Sequence, residues 1–148
     1  MTDITKLVQI MEKLLAPNGC PWDREQTPKT LGPYAIEEAH ELVEAIEKGD
    51  INAVKEELGD VLLQVVFHSK LAEAQGQFTI DDVVNTISEK LVRRHPHVFA
   101  DVKVKDSAEV LKNWDVIKNA EKDKKDTKAQ DPFNIPQSLP ALQRAQKI

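Results

Sequence analysis

From Asp50 to Phe67 the chain carries Ala53, Val54, Leu58, Val61, Leu62, Leu63, Val65, Val66 and Phe67, so a helix built from this stretch is apolar nearly all the way round. Such a helix has to be buried inside a bundle or at an interface. Glu57 and Asp60 nevertheless sit within it, three residues apart and on one side about one turn from each other. A buried carboxylate is expensive unless a cation or hydrogen-bond donors satisfy it. No Lys or Arg lies within one turn beyond Glu57 on that face, so a local salt bridge is missing. Whatever neutralises these acids has to come from elsewhere.

The preceding stretch sharpens the problem. Pro33 suits the first turn of a helix, where its missing N–H costs nothing. Ile36, Ala39, Leu42, Val43 and Ile46 then form one stripe, and Glu37, Glu38, Glu41, Glu44 and Glu47 cover the other side. Taken alone this is an acidic face in water, the ordinary fate of a charged stripe. Gly49 makes a tight turn and Asp50 is a good N-cap for the apolar helix. If the two helices pack antiparallel, Glu38 and Glu41 can face Glu57 and Asp60 in a four-carboxylate nest. Two unit charges about 5 Å apart repel by roughly 3 kcal/mol at an effective dielectric near 20, and four groups make several such pairs. Protonation or cations must offset that repulsion, and an all-oxygen site suits hard cations, Mg²⁺ or Mn²⁺.

The rest of the chain is consistent with a helical frame around this nest. Ile4, Leu7, Ile10, Met11, Leu14 and Leu15 recur at helical spacing behind Thr2 and Asp3, either of which can cap, and this helix is expected to end at Ala16 before Pro17. From Pro17 to Thr30 the pattern is lost around Trp22, as in a binding loop or lid. The alternative is that Trp22 plugs the end of a bundle. After Gly76 a helix restarts with Thr79 as N-cap, Asp81 and Asp82 in its first turn, and Val83, Val84, Ile87 and Leu91 as its apolar set.

That helix ends in Lys90, Arg93 and Arg94, followed by His95, Pro96 and His97. Cations are favourable at any helix C-terminus; the functional alternative is that Lys90 and Arg94, four apart on one face, reach phosphate oxygens held at the nest. Ser107 or Asp106 caps a further helix with Val110, Leu111, Trp114 and Ile117 on one side, and Lys118 one turn beyond Trp114 can join the basic set. Trp114 itself reads more readily as core than as a base-stacking platform. Residues 119–130 lack an apolar stripe and read as a frayed helix end or linker. A new amphipathic pattern begins at Leu139 and stops, which suggests a longer parent protein or a tail that pairs with another subunit. The expected organisation is a helical catalytic domain over 1–118 and a charged linker with the start of another helix over 119–148.

Composition excludes several classes. Low aromatic and glycine content favours an all-α fold. The single Cys20 provides neither a disulfide framework nor a cysteine metal cluster and fits a reducing, cytoplasmic setting. No apolar run is long enough for a bilayer, so no membrane partner is expected. A net charge of -5 argues against sequence-independent binding of duplex nucleic acid.

Four segments in order, Cys20-Pro21-Trp22-Asp23, Glu37-Glu38-x-x-Glu41, Glu56-Glu57-x-x-Asp60, and Lys90 through Phe99 with its Arg93-Arg94-His95-Pro96-His97 centre, resemble the MazG nucleoside triphosphate pyrophosphohydrolases. The resemblance runs from about Leu7 to Ile148. It implies an all-α helical bundle of the MazG type that works as a homodimer, depends on Mg²⁺, and hydrolyses a nucleoside triphosphate to monophosphate and pyrophosphate. By the same resemblance, Glu38, Glu41, Glu57 and Asp60 match metal ligands, and Glu37 and Glu56 match adjoining acidic positions with supporting or base roles. Lys90, Arg94, Trp114 and Lys118 match positions tied to nucleotide binding or catalysis. Family members are often tandem, and this chain looks like a first domain. A catalytically weak dimerisation or regulatory module is therefore the alternative. A di-iron carboxylate bundle is a further rival, since Glu37-x-x-His40 has the right local form; it needs a second Glu-x-x-His, and His68 is preceded at that spacing by Val65.

Overall fold

The nest helices are joined by two residues with special backbone roles. Helix α3 (Pro28–Lys48) ends at Gly49, whose φ of 70° is the left-handed conformation that glycine adopts without a Cβ penalty. Asp50 N–H donates back to Ala45 O at 3.2 Å and Gly49 N–H to Ile46 O at 3.1 Å, closing the helix end. The Asp50 carboxylate then accepts from Asn52 N and Ala53 N and starts α4 (Ile51–Ala74). So short a connection makes the two helices antiparallel neighbours, and α3 against α4 is the principal helix pairing of the molecule.

The computed structural model describes residues 4–124, 136 and 138–145, and all regular structure among them is helical. The expected caps Thr2 and Asp3 lie outside the described residues. Helix α1 (Thr5–Leu15) ends with Ala16 as its C-cap, where the proline at 17 predicts it. The segment expected to be irregular between 17 and 30 instead contains a short helix, α2 (Pro21–Arg24), and the first turn of α3. Helix α3 begins five residues before Pro33, because Thr27 and Thr30 form a reciprocal capping box and Pro28 takes the N1 position. Pro33 is therefore inside the helix and deprives one carbonyl of its partner there.

The chain divides into two units, Met1–Glu89 and Lys90–Ile148, the boundary falling within helix α5 (Ile80–Arg94). In the first unit α1 packs on α4 around Met11, Leu31, Val66 and Phe67, with Leu7, Leu14, Leu63 and Ile80 against them. Lys70 ties α4 to α1 through Glu12 at 2.9 Å and also pairs with Glu73 on its own helix. Close approach fixes Gly19: a Cβ there would lie 2.2 Å from Leu14 O. That carbonyl accepts from Cys20 N at 2.8 Å, which turns the chain so that α2 lies beside α1. Thr79 and Asp82 cap α5 reciprocally, as its sequence predicts.

In the second unit α5 ends at Arg94 and is followed by α6 (Pro96–Phe99), α7 (Ser107–Lys124) and α8 (Ala141–Ala145). Of the two candidate caps for α7, Asp106 does the work, accepting from Glu109 N at 2.9 Å. Helix α7 continues six residues past Lys118; the stretch 125–135, expected to be linker, lies outside the described residues.

Candidate metal and nucleotide site

On α3, Glu38 and Glu41 stand one turn apart; on α4, Glu57 and Asp60 do the same. The hairpin brings Glu38, Glu41 and Glu57 together, with one carboxylate oxygen from each lying within 4.8 Å of the others. Glu38 and Glu57 are half-buried and Glu41 is exposed. Asp60 is not in that tight triad but stands close enough to raise the Glu38 and Glu57 carboxyls by its charge.

The electrostatics are those of crowded like charges. The Glu38 carboxyl is pushed above its ordinary value by loss of water, and then by Asp60, Glu41, Glu57 and Glu37. Glu57 is pushed up by loss of water and then by Glu41, Asp60 and Glu56. Every charged neighbour acting on the two is another carboxylate. Among the described residues, none of the six acids Glu37, Glu38, Glu41, Glu56, Glu57 and Asp60 enters an ion pair. Glu44 behaves as the acidic face in water predicts: it is exposed and pairs with Lys48 one turn on. The donor set of the triad is oxygen only, and so fits a hard divalent cation. No histidine belongs to the triad and His40 is exposed, which removes the local basis for a di-iron site.

The basic and aromatic candidates all belong to the second unit. Lys90 is half-buried and Lys118 exposed. Arg94 donates from Nε and Nη2 to Glu121 at 3.2 and 2.6 Å, and Arg93 Nε donates to the same carboxylate at 2.6 Å. The two guanidinium groups hold the Glu121 carboxyl down at about 2. The Arg94 guanidinium carbon lies 5.3 Å from the Trp114 ring centre, and His95 meets the same ring edge-on at 4.9 Å. Trp114 is thus half-buried under cationic and imidazole neighbours, and it is not enclosed in an apolar core. Glu121 was not among the sequence candidates, because it lies in a run of Lys, Asp, Glu and Ala where no residue stands out.

Residues 26–99 match the family model described as the MazG nucleotide pyrophosphohydrolase domain. The chain belongs to the MazG family. Its relatives include the Uncharacterized protein YabN of Bacillus subtilis (strain 168), 54% identical over 94% of this chain and 28% of that protein. The Nucleoside triphosphate pyrophosphohydrolase of Escherichia coli (strain K12) is 49% identical over 100% of this chain and 56% of that protein. The chain therefore spans between about a quarter and just over half the length of these curated relatives. Among solved structures, the mazG-related protein from Thermotoga maritima superposes with a TM-score of 0.66 at 27% identity, covering 78% of this chain and 98% of that one. The MazG match takes in all six acids together with Lys90 and Arg94, whereas Trp114 and Lys118 lie beyond it.

Two further features of the first unit lie beside the acidic triad. Trp22, 52% exposed, does not plug the bundle; it meets the Tyr34 ring edge-on at 6.0 Å beside an open cavity. Gln64 lines the same cavity. The signal for Gln64 was visible as the lone polar residue of the run Val61–Phe67, one turn beyond Asp60 on the same side of the helix.

Proposed function

We propose that this MazG chain hydrolyses nucleoside triphosphates to nucleoside monophosphate and pyrophosphate, using Mg²⁺, or Mn²⁺ in its place, held by Glu38, Glu41, Glu57 and Asp60. The observation that carries the reading is the triad of carboxylate oxygens within 4.8 Å, in which Glu38 and Glu57 are raised by loss of water and then by neighbouring carboxylates, and none of the three enters an ion pair among the described residues. When bound, the ion supplies Lewis-acid polarisation of a phosphate oxygen and lowers the pKa of a coordinated water. Glu37 and Glu56, exposed and adjacent in sequence to Glu38 and Glu57, are assigned a supporting or base role toward the attacking water.

Lys90, Arg94 and Lys118 are assigned the counter-charge for the triphosphate and the departing pyrophosphate, with Trp114 flanking Arg94. Arg94 spends only two of its five donors on Glu121, so three N–H groups remain for phosphate. The name of the Escherichia coli relative supports the reaction. Homodimerisation is supported by an apolar face the first unit leaves open: Ile36, Val43 and Ile46 on α3 and Leu58, Leu62 and Val65 on α4 are each 39–57% exposed.

The test is product analysis after incubation with a nucleoside triphosphate and Mg²⁺. Equimolar monophosphate and pyrophosphate are expected. Orthophosphate without pyrophosphate overturns the reaction, and tight triphosphate binding with no turnover converts the chain to a regulatory module.

A further inference from the structure

Arg94, a cation assigned to phosphate, ends α5 with a guanidinium that the second unit holds from two directions. Its Nε and Nη2 atoms donate to Glu121 Oε2 at 3.2 and 2.6 Å, and its central carbon lies 5.3 Å from the centre of the Trp114 ring. Both holds come from one helix. Trp114 and Glu121 are seven residues apart on α7, close to two full turns, so the ring and the carboxylate share a face. The ring limits where the guanidinium lies, and the carboxylate fixes which edge it turns away.

The anchor is itself anchored. Arg93 Nε donates to the other Glu121 oxygen, Oε1, at 2.6 Å, so the carboxylate meets one arginine with each oxygen. The Glu121 and Arg94 side chains are only 20% and 16% exposed, against 52% for Arg93. An arginine that has given up that much water is costly to leave without an anion. Trp114 is braced in turn by His95, edge-on at 4.9 Å. The His95 Nδ1 atom lies 2.6 Å from Leu91 O and carries the proton of that bond, since a carbonyl only accepts.

A carboxylate on the Nε–Nη2 edge of Arg94 leaves the Nη1–Nη2 edge open, and no partner occupies that edge among the described residues. It is a planar two-donor fork of the shape that phosphate oxygens accept. Two arginines on one carboxylate also leave the cluster with a net positive charge, so Glu121 orients Arg94 without cancelling its attraction for phosphate. A guanidinium ordered beforehand loses less freedom when phosphate arrives.

We infer that Glu121 is a positioning residue: by clamping one edge of Arg94 it presents the other to the departing pyrophosphate. Glu121 touches no substrate atom and acts through Arg94. The proposal rests on the nucleotide-hydrolase reading and deepens it with a residue outside the matched span 26–99.

The experiment is a double-mutant cycle with a nucleoside triphosphate and Mg²⁺. It compares the unaltered chain, Glu121→Gln, Arg94→Lys and the double variant, each assayed well below its melting temperature. Glu121→Gln keeps the shape but offers one acceptor oxygen in place of two, and kcat is expected to fall by about 10–100-fold, the scale of a displacement of about 1 Å at a reacting site. KM should stay within about threefold, as for a contact made while the pyrophosphate separates. A lysine at position 94 has no planar fork to orient, so adding Glu121→Gln to that background should cost less than about twofold. Unchanged kcat or faster turnover in Glu121→Gln, an equal loss in both backgrounds, or a loss in KM alone overturns the positioning role, while pyrophosphate release by the unaltered chain leaves the reaction standing. If no triphosphate is turned over, the reaction falls instead, and titration calorimetry with inorganic pyrophosphate and Mg²⁺ decides Glu121 alone. Binding at least about fivefold weaker in Glu121→Gln, the scale of one hydrogen bond, supports the clamp; equal affinities, or no binding, overturn it.

Discussion

Glu57 on α4 and Glu121 on α7 are the same side chain on two helices, and the protein pushes their carboxyls in opposite directions. Glu121 is met by Arg93 and Arg94 at 2.6 Å each and is held down at about 2. Glu57 loses water, is met by Glu41, Asp60 and Glu56, and is pushed up. In the second unit the chain supplies its own counter-charge, so the acid is a structural partner for two arginines. In the first unit the described residues around Glu57 supply more acid, and the proposed divalent cation is what would offset it. The contrast is between an acid paired within the chain and acids that crowd one another.

The largest effect should come from removing one acid of the nest. Asp60→Asn or Glu41→Gln is expected to lower kcat by at least about 100-fold, the upper range seen for groups that only support a metal ligand. Far-ultraviolet circular dichroism should stay near that of the unaltered chain. Unchanged turnover in both variants would break the comparison, leaving the nest as surface charge.

Next in size is the response to the ion itself. At Mg²⁺ about 100 times its Kd, the linkage gain is roughly 2.7 kcal/mol, which for a chain of this size raises Tm by about 5–10 °C. Chelation should reverse the shift, and Asp60→Asn should show little of it. A Tm indifferent to Mg²⁺ in differential scanning calorimetry counts against the assignment.

A smaller effect sharpens the comparison by its sign. Because the Glu38 carboxyl is raised in the folded chain, its ionised form opposes folding once the pH exceeds the ordinary value of 4.5. Glu38→Gln is therefore expected to raise the Tm of the metal-free chain at neutral pH. Glu121 is depressed, so its contribution is complete above 4.5 and is lost as the pH falls towards about 2. Glu121→Gln should accordingly lower Tm at neutral pH, and its difference from the unaltered chain should vanish by about pH 2. Melting curves at several pH values check both; a shift of the same sign in the two variants would sink the distinction. The smallest effect is expected from Trp114→Leu, which removes the ring under Arg94 at about 0.5–1 kcal/mol and is read by urea denaturation.

Much of the first unit was legible in the residues. Gly49 followed by Asp50 announces a helix end and a new N-cap, and two residues leave room only for an antiparallel return. With that return given, Glu38, Glu41, Glu57 and Asp60 could face one another, and the first three do come together. Pro33 misled because a proline marks a helix start only where no better cap precedes it, and the Thr27–Thr30 pair is the better cap. Arg94 was identifiable as a cation at a helix end, but its partner Glu121 is 27 residues away, and periodicity within one helix carries no information at that separation.

By themselves the residues determined that the chain is helical, that two of its helices form an acidic hairpin, and that this hairpin cannot neutralise itself. These are consequences of local capping, 3.6-residue periodicity and charge count, all of which act within a few turns. Only the tertiary structure decided that Asp60 stands outside the tightest triad, that Trp22 lines a cavity, that Gln64 keeps an unpartnered oxygen in its wall, and that Glu121 is clamped by two arginines. Each of these depends on which side chains from distant parts of the chain exclude water from one another. Burial of that kind is a property of packed elements, which no single helix possesses.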